Sequence, residues 1–418
     1  MDGCRTPFLR SQTDFTDLMA YELAAMAIAG LLQKTNLDPK RVDRLIVGTV
    51  IGEPRTSNVA REAGLAAGLP TSCPAYTVTA ACASANMAIS NAAEAIACGA
   101  ADIVIAGGTE LLSDVPIRFK RSVRKRLIAS QKARGLGDYL KLARGLGPKD
   151  LLPELPAIAE FSTGLTMGDN GERLAKRFGI TREEQDALAL ASHQNAARAH
   201  ADGHYKDQIV PAFVPPGCEP VRLDNGVRGD TTLEKLAALK PAFDRKFGTV
   251  TAGNSSFLTD GAAVCLVMSE EKASELNLTP LASIASSSFV GLDPMEELLL
   301  GPVLSVPKAL DAAGISLADV GVWEIHEAFA VPVLALVELL ADDGYCKERL
   351  GLPGALGVID RAKLNRWGGS LSIGHPFGAT GARLVLTCAQ RMVKEGARYG
   401  VVSACAAGAL GHAMVLSR

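Results

Sequence analysis

The stretch Cys82–Cys98 carries one formal charge, Glu94, among mostly Ala, Ser, Ile and Met. Its pattern is helical, and a helix built of such small, apolar residues has no face suited to water. It must be buried, with close neighbours on several sides. Gly99 follows, then the strand pattern Ala101-Asp102-Ile103-Val104-Ile105-Ala106, then Gly107-Gly108. The same order recurs near the other end, with a helical pattern over Ala379–Glu395, then Gly396, a strand over Tyr399–Ala404 and a turn. Helix, glycine, strand and turn in both halves predict two related α/β units.

The bulk properties fit such a chain. At 418 residues and 48% hydrophobic it can bury a large core and form two or three domains. A net charge of −2 gives no general attraction for nucleic acid. The nine cysteines show neither CxxC pairs nor metal-ligand spacing, which argues against a disulfide framework or a metal site and fits a reducing compartment. No apolar run approaches the roughly 20 residues of a membrane span. The opening Met1-Asp2-Gly3-Cys4-Arg5-Thr6-Pro7 lacks a charged-then-apolar leader, so the expected location is cytoplasmic, without a targeting peptide.

Four segments carry the chemistry. Cys82 stands in Thr79-Ala80-Ala81-Cys82-Ala83-Ser84-Ala85-Asn86, where a strand runs into the buried helix. A cysteine in the first turn of a helix meets unpaired N–H groups and the positive dipole end, which favour a thiolate. Cys405 occupies a similar turn in Val401-Val402-Ser403-Ala404-Cys405-Ala406-Ala407-Gly408. Between them lie His326-Glu327-Ala328-Phe329-Ala330 and Gly374-His375-Pro376-Phe377-Gly378-Ala379-Thr380-Gly381. Each alone has a bland reading: an inert buried thiol, a hydrogen-bonded core histidine, a loop entering a helix. Together, a nucleophile, an acid/base thiol and two histidines suit carbon–carbon bond chemistry on a thioester.

Over essentially its whole length the chain resembles the thiolase family, most closely the β-subunit type of the fatty-acid β-oxidation trifunctional enzyme. His326 stands where most thiolases have Asn. Trp367-Gly368-Gly369-Ser370-Leu371-Ser372-Ile373-Gly374-His375-Pro376-Phe377-Gly378 matches that branch, and the connection from Leu340 to Asn365 is longer than in biosynthetic thiolases. The resemblance implies an α/β thiolase fold with a five-layered αβαβα core. The N-terminal half would be 1–115, completed by about 250–270. An inserted loop domain at 116–249 would cover the active site and coenzyme A, and the C-terminal half would be 271–418.

The implied activity is acetyl-CoA C-acyltransferase, the thiolytic cleavage of 3-ketoacyl-CoA by coenzyme A, with no tightly bound cofactor and no metal. Cys82 would carry the acyl group and His375 would take its proton. Cys405 would move the proton at the α-carbon and later deprotonate the incoming CoA. His375 would donate to the enolate oxygen, with His326 either a direct donor or the holder of a donating water, and His326 would bring a titratable donor. The backbone N–H groups of Cys82 and Ala407 would hold the acyl oxyanion. Glu327 either orients His326 or is a buried structural carboxylate. Ser256, Met167, Arg228 and Phe329 are the implied substrate and CoA contacts. Leu410 replaces the glutamine usual in this branch, and the histidine often found after Met167-Gly168 is absent, so acyl-chain length does not carry over.

The rival readings are an acetoacetyl-CoA thiolase of biosynthetic type, which usually has Asn at the His326 position, and a ketoacyl-synthase-like enzyme, which usually has His at the Cys405 position. A non-catalytic scaffold subunit is the third. The resemblance further implies a homodimer or homotetramer and a trifunctional α-subunit partner. Arg118–Lys149 holds eleven Lys or Arg against one acid, Asp138. Phe119, Val123 and Leu127 recur every four residues there, the pattern of a helix with an apolar stripe and basic flanks. It reads as a solvated face, a contact for CoA phosphates, or a peripheral contact with an anionic membrane or partner subunit.

Overall fold

The computed structural model describes residues 2–154 and 159–418; Met1 and residues 155–158, the latter inside the expected loop domain, lie outside them. The helix expected at Cys82–Cys98 spans Ser84–Ala97, and its buried residues include Ser84, Ala85, Asn86, Ala88, Ile89, Ser90, Ala92 and Ala95. A second central helix, Thr380–Glu395, is buried over most of its length. The two pack against each other, each also resting on a β-sheet.

The first sheet runs Asp2–Arg5, Thr259–Met268, Ile103–Glu110, Arg44–Gly48, Ala75–Val78, with Leu9–Arg10 pairing beside Thr259–Met268. Its Arg44–Gly48 strand is parallel to both neighbours, while Thr259–Met268 is antiparallel to both of its own. The second sheet runs Ser283–Gly291, Leu410–Ser417, Tyr399–Ala406, Val320–Ile325, with only the last pair parallel. Ala20–Thr35 and Val59–Ala66 cover the outer face of the first sheet, and Gly301–Ala312 covers that of the second. This gives the αβαβα layering.

The halves correspond strand for strand across four positions. Their difference lies in one hairpin. In the C-terminal half Tyr399–Ala406 returns as Leu410–Ser417 through Ala407-Gly408-Ala409. In the N-terminal half the same hairpin, Ile103–Glu110 with Thr259–Met268, is opened by residues 111–258. The basic segment within that stretch forms Arg121–Ser130, Leu136–Ala143 and Pro148–Leu151, with Arg118–Phe119 paired to Pro153–Glu154. Of the expected stripe only Val123 is buried; Phe119 and Leu127 are about half exposed.

The sequence places Cys405 in a turn like that of Cys82, but it lies inside the Tyr399–Ala406 strand, one residue before its end. Cys82 precedes the helix proper, whose cap is Ala83.

Glycine sets the spacing of the central helices. A Cβ on Gly381 would stand 2.1 Å from the Asn86 Oδ1 and 2.7 Å from the Asn86 backbone N. Backbone cannot retreat as a flexible side chain can, so Gly381→Ala is expected to cost about 1–3 kcal/mol by forced overpacking. A urea unfolding midpoint unchanged from the parent would show that the helices are free to separate.

Candidate active site

Cys82 is presented by a tight backbone turn after the Ala75–Val78 strand. Ala81 takes φ +48°, a left-handed conformation unusual for a residue with a Cβ and characteristic of functional turns. The Ser84 hydroxyl holds this turn, donating to the Ala81 carbonyl at 2.7 Å and accepting from the Ala80 N–H at 2.8 Å. Cys82 is partly exposed, whereas His326, His375 and Cys405 are buried.

His375 follows Gly374, whose φ of +107° requires glycine. The His375 N–H donates to the Thr259 hydroxyl at 3.0 Å, which fixes the turn to the first sheet. A second tie comes from Glu110, at the end of the Ile103–Glu110 strand. Its carboxylate accepts from the Gly378 N–H at 2.9 Å and from Thr49, Val50 and Ile51. Burial pushes Glu110 up to about 7 despite these donors.

His375 Nε2 lies 3.1 Å from Cys82 Sγ, and its Nδ1 lies 2.7 Å from Thr380 Oγ1. Thr380 in turn donates to the Pro376 carbonyl at 3.0 Å. The His326 ring packs 4.1 Å from that of His375, centroid to centroid. Its backbone N–H is held by the Ser403 carbonyl, which places it at the end of the second sheet. His326 Nδ1 meets Ser370 Oγ at 2.9 Å, while Nε2 is buried without a partner among the described residues. One ring nitrogen from each histidine and the Cys82 sulfur lie within 4.8 Å of one another. This spacing suits proton transfer and could also ligate a metal ion.

Electrostatically the cluster is neutral at rest. Burial pushes the Cys82 thiol up to about 12, against the pull of the Ala407 and Cys82 N–H groups. Burial likewise raises Cys405 to about 12, and a negative Cys82 would raise it further. Burial, then Arg383, lowers His375 to about 3. Burial, then His375 and Arg383, holds His326 well below its ordinary value. These directions run against two expectations. Desolvation opposes the thiolate that the helix end and the amides favour. Burial likewise disfavours a charged His326.

Glu327 accepts from Ser192 Oγ at 2.8 Å, Asn365 Nδ2 at 2.5 Å and the Leu371 N–H at 3.1 Å. None of these bonds reaches His326, whose Nδ1 is met by Ser370 instead. The N–H groups of Ala407 and Cys82 both lie close enough to the Cys82 sulfur to favour its charged form.

The remaining expected contacts fall into two groups. Met167 and Phe329 pack into the same apolar cluster as Cys405, with Phe243 edge-on to Phe329 at 6.1 Å. Ser256 runs beside that segment, its N–H donating to the Ala328 carbonyl at 2.9 Å. Arg228 stands apart from these, its N–H donating to His193 Nδ1 at 3.2 Å. The sequence reading missed Arg10, whose guanidinium lies 3.8 Å over the Phe257 ring and whose pKa is lowered by burial and then by Arg228. It also missed Ser370, Arg383 and Glu110. Ser370 and Thr380 stood inside the quoted motifs, but nothing in their spacing assigned them to the two rings.

Residues 1–271 match the family described as thiolase, N-terminal domain, and residues 278–418 match thiolase, C-terminal domain. The mitochondrial trifunctional enzyme subunit beta of Bos taurus is 49% identical over 416 residues, covering 100% of this chain and 87% of that protein. A 3-ketoacyl-CoA thiolase of Pectobacterium carotovorum is 46% identical, covering 100% and 95%. Human mitochondrial 3-ketoacyl-CoA thiolase matches in structure with a TM-score of 0.82 at 32% identity, covering 100% and 97%. The acetyl-CoA acetyltransferase of Bacillus anthracis matches with a TM-score of 0.83 at 34% identity over the same shares.

The neutral histidines set a pH dependence. His326 and His375 titrate below 6.5 when folded, so the unfolded chain takes up their protons first. Their contribution is therefore complete above about pH 6.5 and is lost as pH falls. His326→Asn removes one such group. Its urea midpoint should fall less between pH 7.5 and 5 than the parent's, and its activity profile from pH 6 to 8 should keep the parent's shape. A profile displaced in that range would show that His326 titrates there.

Proposed function

The chain belongs to the thiolase family, and from that premise we propose that it is a 3-ketoacyl-CoA thiolase of fatty-acid β-oxidation, an acetyl-CoA C-acyltransferase. The observation that carries this reading is the contact of His375 Nε2 with Cys82 Sγ at 3.1 Å, beside His326 and with Cys405 in the adjoining strand.

In the proposed cycle the Cys82 sulfur attacks the 3-keto carbon while its proton passes to His375 Nε2. The tetrahedral oxyanion lies between the Cys82 and Ala407 N–H groups. Its collapse breaks the bond between the 2- and 3-carbons and leaves the enolate of acetyl-CoA, whose oxygen faces His326 and His375. Cys405 protonates the α-carbon. Coenzyme A then gives its proton to the Cys405 thiolate and attacks acyl-Cys82, whose sulfur leaves with the proton held by His375. Acyl exchange between acyl-CoA and CoA forms no enolate, so there the CoA proton passes through His375 alone. Each oxyanion donor is worth roughly 3–4 kcal/mol. Coenzyme A is the co-substrate. Met167 and Phe329 would line the acyl pocket, Ser256 the pantetheine, and Arg228, joined by Arg10, the nucleotide end.

We also propose that residues 116–249 form the loop domain over this site, between thiolase halves at 1–115, completed by about 250–270, and 271–418. The Glu160 carboxylate supports this by accepting the Gly408 N–H at 2.7 Å, in the turn just after Cys405. A homodimer or homotetramer is the proposed assembly, since the half-buried Ala75–Val78 strand ends its sheet next to Cys82. The trifunctional β-subunit relatives favour an α-subunit partner. Nine free cysteines favour a reducing location, and the cytoplasm is the one proposed. Among the described residues no helix is long and apolar enough to cross a membrane. Peripheral contact with an anionic membrane is proposed for Arg118–Lys149, where exposed Leu127, Ile128, Leu136 and Leu140 stand among basic residues.

Incubation with a 3-ketoacyl-CoA and CoA should release acetyl-CoA and the shortened acyl-CoA, and a quenched reaction should carry the acyl group on Cys82 by mass spectrometry. An acyl group on Cys405, or no turnover across chain lengths, would sink the assignment. Cys405→Ala should retain acyl exchange between acyl-CoA and CoA yet lose deuterium exchange at the α-carbon of acetyl-CoA. Parallel loss of both would place Cys405 in acyl transfer.

For the membrane contact, flotation with phosphatidylserine-containing vesicles should show salt-sensitive binding. Changing Arg121, Arg124, Lys125 and Arg126 to Gln should abolish it and leave short-chain activity intact. No binding at low salt returns the segment to a solvated face, and a raised KM for CoA in the variant assigns it to nucleotide phosphates.

A further inference from the structure

Two imidazoles in contact can carry their protons in four arrangements when both are neutral. Only one serves the chemistry above. His375 needs a lone pair on the nitrogen facing Cys82, and His326 needs an N–H on the nitrogen facing the substrate. The tautomer of a neutral histidine is set by the hydrogen bond at its other nitrogen.

At His326 the deciding partner is Ser370. Its hydroxyl oxygen lies 3.0 Å from Arg383 Nη2 and 2.9 Å from His326 Nδ1. A guanidinium can only donate, so Arg383 occupies an acceptor position on the serine oxygen. The single hydroxyl hydrogen must then go elsewhere, and His326 Nδ1 is its one acceptor among the described residues. A hydrogen arriving at Nδ1 leaves the imidazole proton on Nε2. That nitrogen is buried and unpartnered, the state of a donor whose acceptor arrives with the substrate.

At His375 the order is reversed. Thr380 donates its hydroxyl hydrogen to the Pro376 carbonyl at 3.0 Å, so its oxygen accepts from Nδ1–H at 2.7 Å. Nε2 is left bare toward the Cys82 thiol.

We propose that Ser370, braced by Arg383, and Thr380 are positioning residues that lock His326 and His375 in opposite tautomers, Nε2–H and Nδ1–H. Arg383 does this from a fully buried position inside the Thr380–Glu395 helix, with Glu324 3.7 Å away as its counter-charge. The arrangement gives one ring the part of base and its neighbour the part of neutral donor without placing a charge on either. With the His326 tautomer reversed, a lone pair would face the developing enolate oxygen and oppose it. The assignment rests on the thiolase reading for its purpose, but the tautomers themselves are measurable without turnover.

The wild-type protein labelled with 15N-histidine gives the direct test. It has six histidines, few enough for assignment by single substitution. His326 should show a protonated-type Nε2 and a bare-type Nδ1, and His375 the opposite pair at neutral pH. A protonated-type Nδ1 on His326, or the same tautomer on both rings, overturns the proposal whether or not the protein is active.

Ser370→Ala supplies the functional arm. It should mix the His326 tautomers and lower kcat for 3-ketoacyl-CoA cleavage by about 10²-fold, the effect of one lost oxyanion donor, with KM held. Acyl exchange between acyl-CoA and CoA forms no enolate, so it should stay near the parent rate. Ser370→Thr restores a hydroxyl and should restore both the tautomer and kcat. Equal loss in cleavage and exchange would mark Ser370 as merely structural and overturn its positioning role. Should the parent cleave no 3-ketoacyl-CoA, the enzyme assignment falls while the spectrum still decides the tautomers.

Discussion

The fold depends on how closely two helices, Ser84–Ala97 and Thr380–Glu395, can approach inside a sandwich of two sheets. That approach is a matter of missing side chains. Gly381 meets Asn86, Gly48 meets the Ser84 backbone, and Gly108 lies where a Cβ would be 1.8 Å from the Gly378 carbonyl. With backbones this near, the turn before the first helix and the turn before the second arrive at the same place. The first turn carries Cys82 and the second carries His375. The same packing that removes the helix faces from water therefore builds the contact between sulfur and imidazole.

Dryness follows from that packing and governs the chemistry. Burial raises the Cys82 thiol and lowers the His375 imidazole, so it works against a proton passing between them at rest. In the proposed cycle the ion pair forms as the substrate carbonyl brings its own oxyanion to the Cys82 and Ala407 N–H groups. Proton transfer in that cycle is coupled to bond formation instead of preceding it. The low polarity that raises the resting thiol also strengthens each hydrogen bond to the developing charge. Burial so deep needs anchoring, and the anchors are local networks: Glu110 on the His375 turn, Glu327 on the Gly369–Leu371 stretch, Glu324 between Arg383 and Arg391.

What could be read from the chain itself divides along a physical line. The central helix showed in its lack of charge, and the strands at Ala101–Ala106 and Tyr399–Ala404 showed as apolar patterns after a glycine; each forms within a few residues of its expected place. Cys82 and His375 were legible because their motifs quote the turns that hold them. Resting protonation was not. The N–H groups at a helix start can be counted in a sequence, whereas the desolvation opposing them depends on residues hundreds of positions away. Ser370, Thr380 and Arg383 escaped for a related reason: a serine near a glycine pair and an arginine in a helix look ordinary until the rings they touch are placed. Cys405 was put in a turn because Ala407-Gly408 follows it, yet the hairpin extends its strand through the thiol before bending.

The two halves also explain where substrate can be covered. In the C-terminal half the hairpin beyond Cys405 closes in Ala407–Ala409, with Gly408 and Ala409 both at positive φ. Such a turn is too short to reach across the site, and its service is to aim the Ala407 N–H at Cys82. The matching hairpin in the N-terminal half carries residues 111–258 at the same end of the sandwich. Glu160, within that stretch, meets Gly408 in the other hairpin's turn by a single hydrogen bond. One repeat thus keeps its hairpin tight and holds the Ala407 N–H near Cys82, while the other opens the same hairpin and carries Met167, Ser256 and Arg228, the proposed substrate contacts, on a single stretch of chain. On the proposed function, asymmetry between related halves, introduced at one connection, separates the holding of charge from the holding of substrate.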